Sequence, residues 1–125
     1  MVWAGRGLSG LFVLFMLMDI TLKLLNLPVV DETMKALGWG PGHGPLIGGV
    51  ELAALVLYLV PRTSLAGGLL MTGVFGGAIA THIRVGDPLF SHILFGVYLG
   101  LFMWGGLWLR DPAFRALFPI RRMPA

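Results

Sequence analysis

The sequence predicts an all-α integral membrane protein, a four-helix bundle formed as one domain over residues 1–125. Hydrophobic residues make up 57 % of the chain and charged residues only 12 %. A soluble domain is usually about 45–50 % apolar and about 25 % charged. A core built from 125 residues cannot hold this excess, so most of it must face lipid. Four apolar segments also approach the roughly 20 residues that a helix needs to cross a bilayer.

The four segments are separated by short polar breaks. The first is predicted over about residues 8–27, where Pro28 ends it, and the second over about 45–60, between "GPGHGP" and "PRT". The third is predicted over about 63–83 and the fourth over about 88–109. The links "VPRTS" and "RVGDP" are so short that consecutive segments must form tight helical hairpins.

Shorter elements are predicted from capping residues. In the loop 28–44, "DETMKALG" indicates a short helix with Asp31 as its N-cap and Gly38 as its stop. The Asp-Pro pairs at 87–88 and 111–112 are typical of an N-cap followed by proline in the first turn. The tail "AFRALFPIRRMPA" is predicted to form an interfacial amphipathic helix with a basic end.

The basic residues predict the orientation. Four crossings place both termini on one side, which then holds six arginines, at positions 6, 62, 110, 115, 121 and 122. The opposite side holds only Lys35 and Arg84, with Lys23 if it snorkels. The positive-inside rule therefore predicts cytoplasmic termini. Because these charges flank apolar runs, the net charge of +3 does not indicate a nucleic-acid partner.

Ionisable residues inside the segments predict a functional site. Each costs about 2.5–3.5 kcal/mol at the bilayer centre on insertion scales, and survives when paired or when it faces a cavity. With the predicted orientation, all of them fall in the outer half of the bundle. We therefore expect a polar pocket for a small amphipathic or anionic ligand, formed by Asp19, Lys23, Glu51, His82, Arg84 and His92.

Helical spacing supports this pocket. One face of the first helix carries Ser9, Phe12, Met16, Asp19, Lys23 and Asn26. Comparable faces are Gly44, Gly48, Glu51, Leu55 and Tyr58 on the second helix, and His92, Phe95, Gly96, Leu99 and Met103 on the fourth. The pairs Gly73/Gly77 and Gly96/Gly100 predict close helix approach.

Simpler interpretations remain open for several of these residues. Asp19 and Lys23 are spaced to neutralise each other, Arg84 suits an interfacial anchor, and His82 suits a solvated surface position. Glu51 and His92 have no partner on their own helices, which favours function or an inter-helix bond that supports it. Without H-x-x-x-H or E-x-x-H spacing we expect no metal site, and without cysteine there is no thiol chemistry.

The chain resembles the DoxX-like family of small four-helix bacterial membrane proteins. The resemblance covers most of the chain and rests on "LGW", "GGVELAALVLYLVPRT", "GGAIATHIRVGDPLFSH" and "YLGLFMWGGLWLRDP", with the acidic residue of the first helix. It implies a bacterial inner-membrane location. It also implies association with sulfur or oxidative-stress enzymes, and in DoxD-type relatives with thiosulfate oxidation coupled to quinone. Glu51, His82 and the turn after it match shared positions.

Three functions are consistent with these observations. The first is binding of a small amphipathic, quinone-like ligand in a redox-associated role, with Glu51 and a histidine passing a proton. The second is a non-enzymatic accessory subunit that anchors an oxidoreductase partner. The third is a small transporter, which would need a homo-oligomer and is disfavoured by the apolar cytoplasmic half. The sequence leaves open whether the protein is an enzyme, and a quinone is the one candidate cofactor.

Overall fold

The computed structural model describes residues 2–40 and 42–121, and it is 85 % helical with no strand among those residues. The main helices are α1 (Val2–Leu24), α2 (Pro28–Ala36), α3 (His43–Leu59), α4 (Ser64–Val85), α5 (Phe95–Arg110) and α6 (Pro112–Leu117). A 3₁₀ turn, Pro61–Thr63, leads into α4, and a π-helical turn, Leu89–Ile93, leads into α5.

Three helical stretches are long and apolar enough to span a membrane, namely Val2–Leu24, Pro61–Val85 and Leu89–Arg110. The helix α3 is equally apolar but has only 17 residues. The predicted all-α class is therefore confirmed, and three of the four predicted segments form helices long and apolar enough to span a membrane.

The first helix and the loop after it differ from the prediction. The helix α1 begins at Val2 rather than near residue 8 and ends at Leu24, followed by Asn26 with a φ of 51°. Pro28 then starts α2, because proline needs no N–H partner in a first turn. The prediction that Asp31 caps this helix is wrong, since Leu27 is the N-cap position and Asp31 lies inside the first turn.

The prediction that Gly38 ends α2 is confirmed. Gly38 has a φ of 87°, which side chains disfavour, and its N–H donates to the carbonyl of Lys35 at 3.0 Å. The Trp39 N–H donates to the carbonyl of Met34 at 2.9 Å. These two bonds satisfy carbonyls that the helix end would otherwise leave without partners.

The two Asp-Pro pairs behave differently. Asp111 caps α6, because its side chain accepts from the backbone N–H of Ala113 at 3.0 Å. Asp87 caps nothing, so that prediction is wrong: Pro88 is the N-cap position, and the chain enters a π-helical turn in which the Ile93 N–H donates to the Pro88 carbonyl at 3.2 Å. The Asp87 carboxylate is thereby free to contact a histidine.

The helices form a ring in the order α1, α3, α4, α5, with α1 also packing against α5. Their inner faces form the core, with the largest fully buried side chains being Tyr58, Phe12, Met16, Leu55, Met71, Met103 and Leu107. The predicted face of the second helix is confirmed, since all five of its residues are buried in α3. On α1 the predicted face is buried from Ser9 to Met16, whereas Asn26 lies beyond the end of the helix.

Close helix approach occurs at other glycines than those predicted. Of the four glycines in the predicted pairs, only Gly96 is tightly packed, against Ile79. The other three, Gly73, Gly77 and Gly100, face open space. The closest approach joins α3 to α4 at Gly67, where an added Cβ would lie 2.6 Å from the carbonyl oxygen of Ala54. The prediction for the other three glycines is therefore wrong, because no neighbouring helix lies within 4 Å of the position that a Cβ would take there.

The tail after α5 forms the short helix α6, whose Phe114 is buried and stacks on Trp104 with ring centroids 5.3 Å apart. Arg122 and the three residues after it, used above for orientation and for the basic end of the tail, lie outside the described residues. The interfacial position of this helix stays a prediction.

Candidate functional site

A cavity of about 560 Å³ lies between α1, α3, α4 and α5 at one end of the bundle. We call this the cavity end, and the opposite end, at the Pro61–Thr63 turn, the hairpin end. The helix α2 lies across the cavity end and contributes Thr33, Met34 and Leu37 to the lining. Most of the remaining wall is apolar, including Phe15, Val50, Val74, Phe75, Ile79 and Leu99.

One wall carries a three-membered ion cluster. The Lys23 ammonium lies 2.7 Å from a carboxylate oxygen of Asp19, one turn earlier on α1, and 2.7 Å from Oε1 of Glu51 on α3. The first contact is the predicted i,i+4 pair, and the second supplies the partner that Glu51 lacks on its own helix. Two carboxylates and one ammonium leave one negative charge, or one shared proton, in a largely apolar surrounding.

The second oxygen of Glu51 is the least satisfied atom of this cluster. The Glu51 side chain is only 4 % exposed, and its Oε2 has no hydrogen-bond partner among the described residues. Since a buried acceptor without a donor costs about 1–3 kcal/mol, a donor supplied by a bound molecule would be stabilised here.

Two histidines form a second polar wall. The His82 Nδ1 lies 2.5 Å from a carboxylate oxygen of Asp87, and the rings of His82 and His92 are 5.8 Å apart between centroids. An ionised carboxylate only accepts hydrogen bonds, so it holds the proton on Nδ1 and leaves Nε2 as the other reactive nitrogen. The His92 Nδ1 is in turn 2.7 Å from the Ser91 hydroxyl, within the π-helical turn. Such turns are frequent at functional sites.

Five of the six predicted pocket residues line this one cavity: Asp19, Lys23, Glu51, His82 and His92. Arg84 does not line it. It is exposed, and its guanidinium group lies beside Gly38 at the end of α2. The Lys23 charge is shared by two carboxylates, and the described lining residues of the cavity include no other lysine and no arginine.

The hairpin end holds a different polar cluster. The Tyr58 hydroxyl, which is fully buried, donates to the Met103 carbonyl at 2.6 Å and lies 3.0 Å from the Ser9 hydroxyl. The Arg110 Nε donates to the same serine at 3.1 Å. These groups satisfy one another, so they tie α1, α3 and α5 together without forming part of the cavity.

Comparison with known proteins identifies the family of this chain. The model of the DoxX-like family matches residues 7–106, which includes all of the ion cluster and both histidines. The chain belongs to the DoxX-like family. No curated protein and no solved structure matches it.

Some lining residues of this DoxX-like protein were not predicted as site residues. His43 lines the cavity from the first turn of α3, with its ring 5.5 Å from that of Trp39 between centroids. Sequence reasoning missed both because "GPGHGP" and "LGW" lie in a segment predicted to be a loop. The amphipathic pattern of α2, with Val30 and Met34 buried, is the signal that this segment folds back over the bundle.

The chemistry available in this DoxX-like site follows from its two walls. Glu51 offers a carboxyl oxygen without a protein partner, and the histidines that line the same cavity offer ring nitrogens that donate or accept hydrogen bonds. The cavity volume is within the range of pockets that hold small molecules. Among the described residues, no three side chains are arranged to hold a metal ion.

Proposed function

We propose that the cavity binds a small amphipathic molecule that carries a hydroxyl group, and that a quinol is the best-fitting class. The observation that carries this proposal is the unpartnered Glu51 Oε2 at the polar wall of an otherwise apolar cavity. A quinol hydroxyl donates a hydrogen bond to that oxygen, while its ring packs on apolar side chains such as Phe15 and Leu99.

The second polar wall complements this orientation. A hydroxyl on the far side of the ring reaches the histidines, where Asp87 fixes the proton on one nitrogen of His82. An imidazole nitrogen without a proton accepts one, so this wall suits uptake of a proton released when a quinol is oxidised. We propose a redox-associated role on this basis, with an oxidoreductase partner as the electron acceptor.

We further propose that the chain crosses the bacterial inner membrane four times as one domain, with both termini in the cytoplasm. The helix α3, at about 1.5 Å per residue, is about 25 Å long, which spans the hydrocarbon core with slight local thinning. Arginines 6, 62, 110 and 115 then lie together at the hairpin end, as the positive-inside rule requires. With this orientation, the cavity lies in the outer half of the membrane.

The experiment is binding of decylubiquinol to the protein in lipid nanodiscs, measured by calorimetry and by the fluorescence of Trp39, which lines the cavity. The double variant Glu51→Gln/His92→Ala removes one group from each polar wall. We expect the variant to fold and to lose at least a hundredfold in affinity, because both polar contacts of the ligand are gone.

The matched control is Tyr58→Phe, which alters a buried polar residue of α3 outside the cavity. It should bind like the wild type. Undiminished binding by the double variant, or no binding by the wild type, would refute the proposal.

A further inference from the structure

Four boundaries between neighbouring helices, which we call seams, surround the cavity. Three of these seams are closed by close contacts between the two helices. Between α1 and α5, the rings of Phe15 and Phe95 meet with centroids 5.2 Å apart. Between α4 and α5, Gly96 lies against Ile79. These contacts are at the level of the cavity, because all four of these residues line it.

The seam between α1 and α3 is closed as well. Gly48 of α3 lies so near α1 that an added Cβ would be 2.9 Å from the Cβ of Lys23. One turn further along α3, the Lys23–Glu51 ion pair bridges the same two helices.

The seam between α3 and α4 is different. At the hairpin end the two helices touch through Gly67, but toward the cavity end α4 presents Gly73 and Gly77, with no atom within 4 Å of an added Cβ at either. On the facing helix, Leu46 is 69 % exposed and Val50 is 37 % exposed. All four of these residues also line the cavity, so the cavity continues through this seam to the outer surface of the bundle.

The surface reached through this seam is apolar. The wall of the opening carries glycine, valine and leucine and no charged residue, and it lies along α4, which is long and apolar enough to span a membrane. Water-soluble molecules have no favourable path through such an opening, whereas a hydrocarbon chain passes from lipid into it without loss of solvation.

We propose that the α3–α4 seam is a lateral portal, so that the ligand is a membrane-dissolved molecule whose hydrocarbon tail lies in the seam while its polar head reaches Glu51. This rests on the proposed function and assigns its ligand class: a tailed, lipid-soluble quinol rather than a water-soluble one. Gly73 and Gly77 are the positions that keep the portal open, because any larger side chain there would stand in the path of the tail.

The experiment compares two single substitutions on α4. Gly77→Leu fills the seam, whereas Gly76→Leu is the matched control, since Gly76 also faces open space but does not line the cavity. Both replace a helical glycine by a better helix former where a Cβ has room, so both should fold. Each is titrated in nanodiscs with decylubiquinol and with the tail-less duroquinol.

We expect Gly77→Leu to weaken decylubiquinol binding at least tenfold and duroquinol binding less than twofold, with neither changed in Gly76→Leu. Equal effects of the two substitutions on decylubiquinol overturn the portal while leaving the binding site intact. Absence of binding of both quinols to the wild type overturns the binding site and the portal together.

A second measurement does not depend on any variant. A quinol with a photoreactive diazirine at the end of its tail is irradiated with the wild-type protein, and the labelled peptides are identified by mass spectrometry. Labelling centred on Val50 and Gly73 supports the portal. Labelling of the α1–α5 face, at exposed residues such as Leu14 and Leu101, overturns it.

Discussion

Replacing Glu51 by glutamine is expected to weaken binding of the quinol without weakening binding of the corresponding quinone. In the wild type, Oε1 accepts from the Lys23 ammonium at 2.7 Å and Oε2 is the free acceptor. The ammonium is only a donor, so the glutamine must keep its oxygen toward Lys23. Its NH₂ group then occupies the Oε2 position, and an acceptor becomes a donor.

The expected magnitude follows from the charge of the lost bond. A hydrogen bond to a charged group contributes about 1.5–3 kcal/mol, and each 1.4 kcal/mol is about tenfold in affinity. Quinol binding should therefore weaken by about ten- to one-hundredfold. A quinone carbonyl accepts from the new NH₂ group, so quinone affinity should stay unchanged or rise.

The assay is a pair of titrations of the Glu51→Gln variant in nanodiscs, with decylubiquinol under anaerobic conditions and with decylubiquinone in air. The absence of cysteine removes any thiol reaction with the quinone. The ratio of the two dissociation constants is the readout, since a partly misfolded sample lowers both affinities alike. A ratio identical to that of the wild type would refute the assignment of Oε2 as the head-group acceptor.

Two further predictions concern stability and are read from thermal unfolding in detergent. Lys23→Met leaves two neighbouring carboxylates without their cation, so it should lower the free energy of unfolding by about 3–5 kcal/mol. Lys35→Met, at an exposed site of α2, should leave the free energy of unfolding nearly unchanged. Similar melting temperatures for these two variants would show that the ion cluster is not structural. Gly67→Ala forces a methyl group into the Tyr58 backbone and should lower the free energy of unfolding by at least about 1–3 kcal/mol. Gly76→Ala should instead stabilise by about 0.5–1 kcal/mol, and a shift of the same sign for both glycines would contradict the packing described here.

Much of the candidate site was predictable because the membrane makes polar residues informative. Lipid excludes isolated charges, so helical spacing together with the alternating direction of the segments was enough to group Asp19, Lys23, Glu51, His82 and His92. Spacing could not predict that Lys23 bridges two carboxylates, because this depends on the distance between α1 and α3. It also placed Arg84 in the group, although the arginine side chain extends away toward the end of α2.

Residue types at the turns predicted the helix caps less well. The Asp-Pro pattern is the same at Asp87 and Asp111, yet only Asp111 caps a helix. A backbone that enters a π-helical turn removes the geometry of an N-cap, and nothing in the pair of residues reveals this. The carboxylate of Asp87 contacts His82 instead, a contact set by the left-handed Gly86 that ends α4.

By itself, the sequence determined the all-α class, the membrane-spanning character and the family, because apolar content and helix length depend on composition and local order. The tertiary structure decided where helices approach and where they part. Close contact at Gly67 and open space at Gly73 and Gly77 arise on the same helix from the same residue type. What distinguishes them is position: Gly67 packs against the backbone of α3, whereas Gly73 and Gly77 line the cavity, and residue type alone does not reveal this.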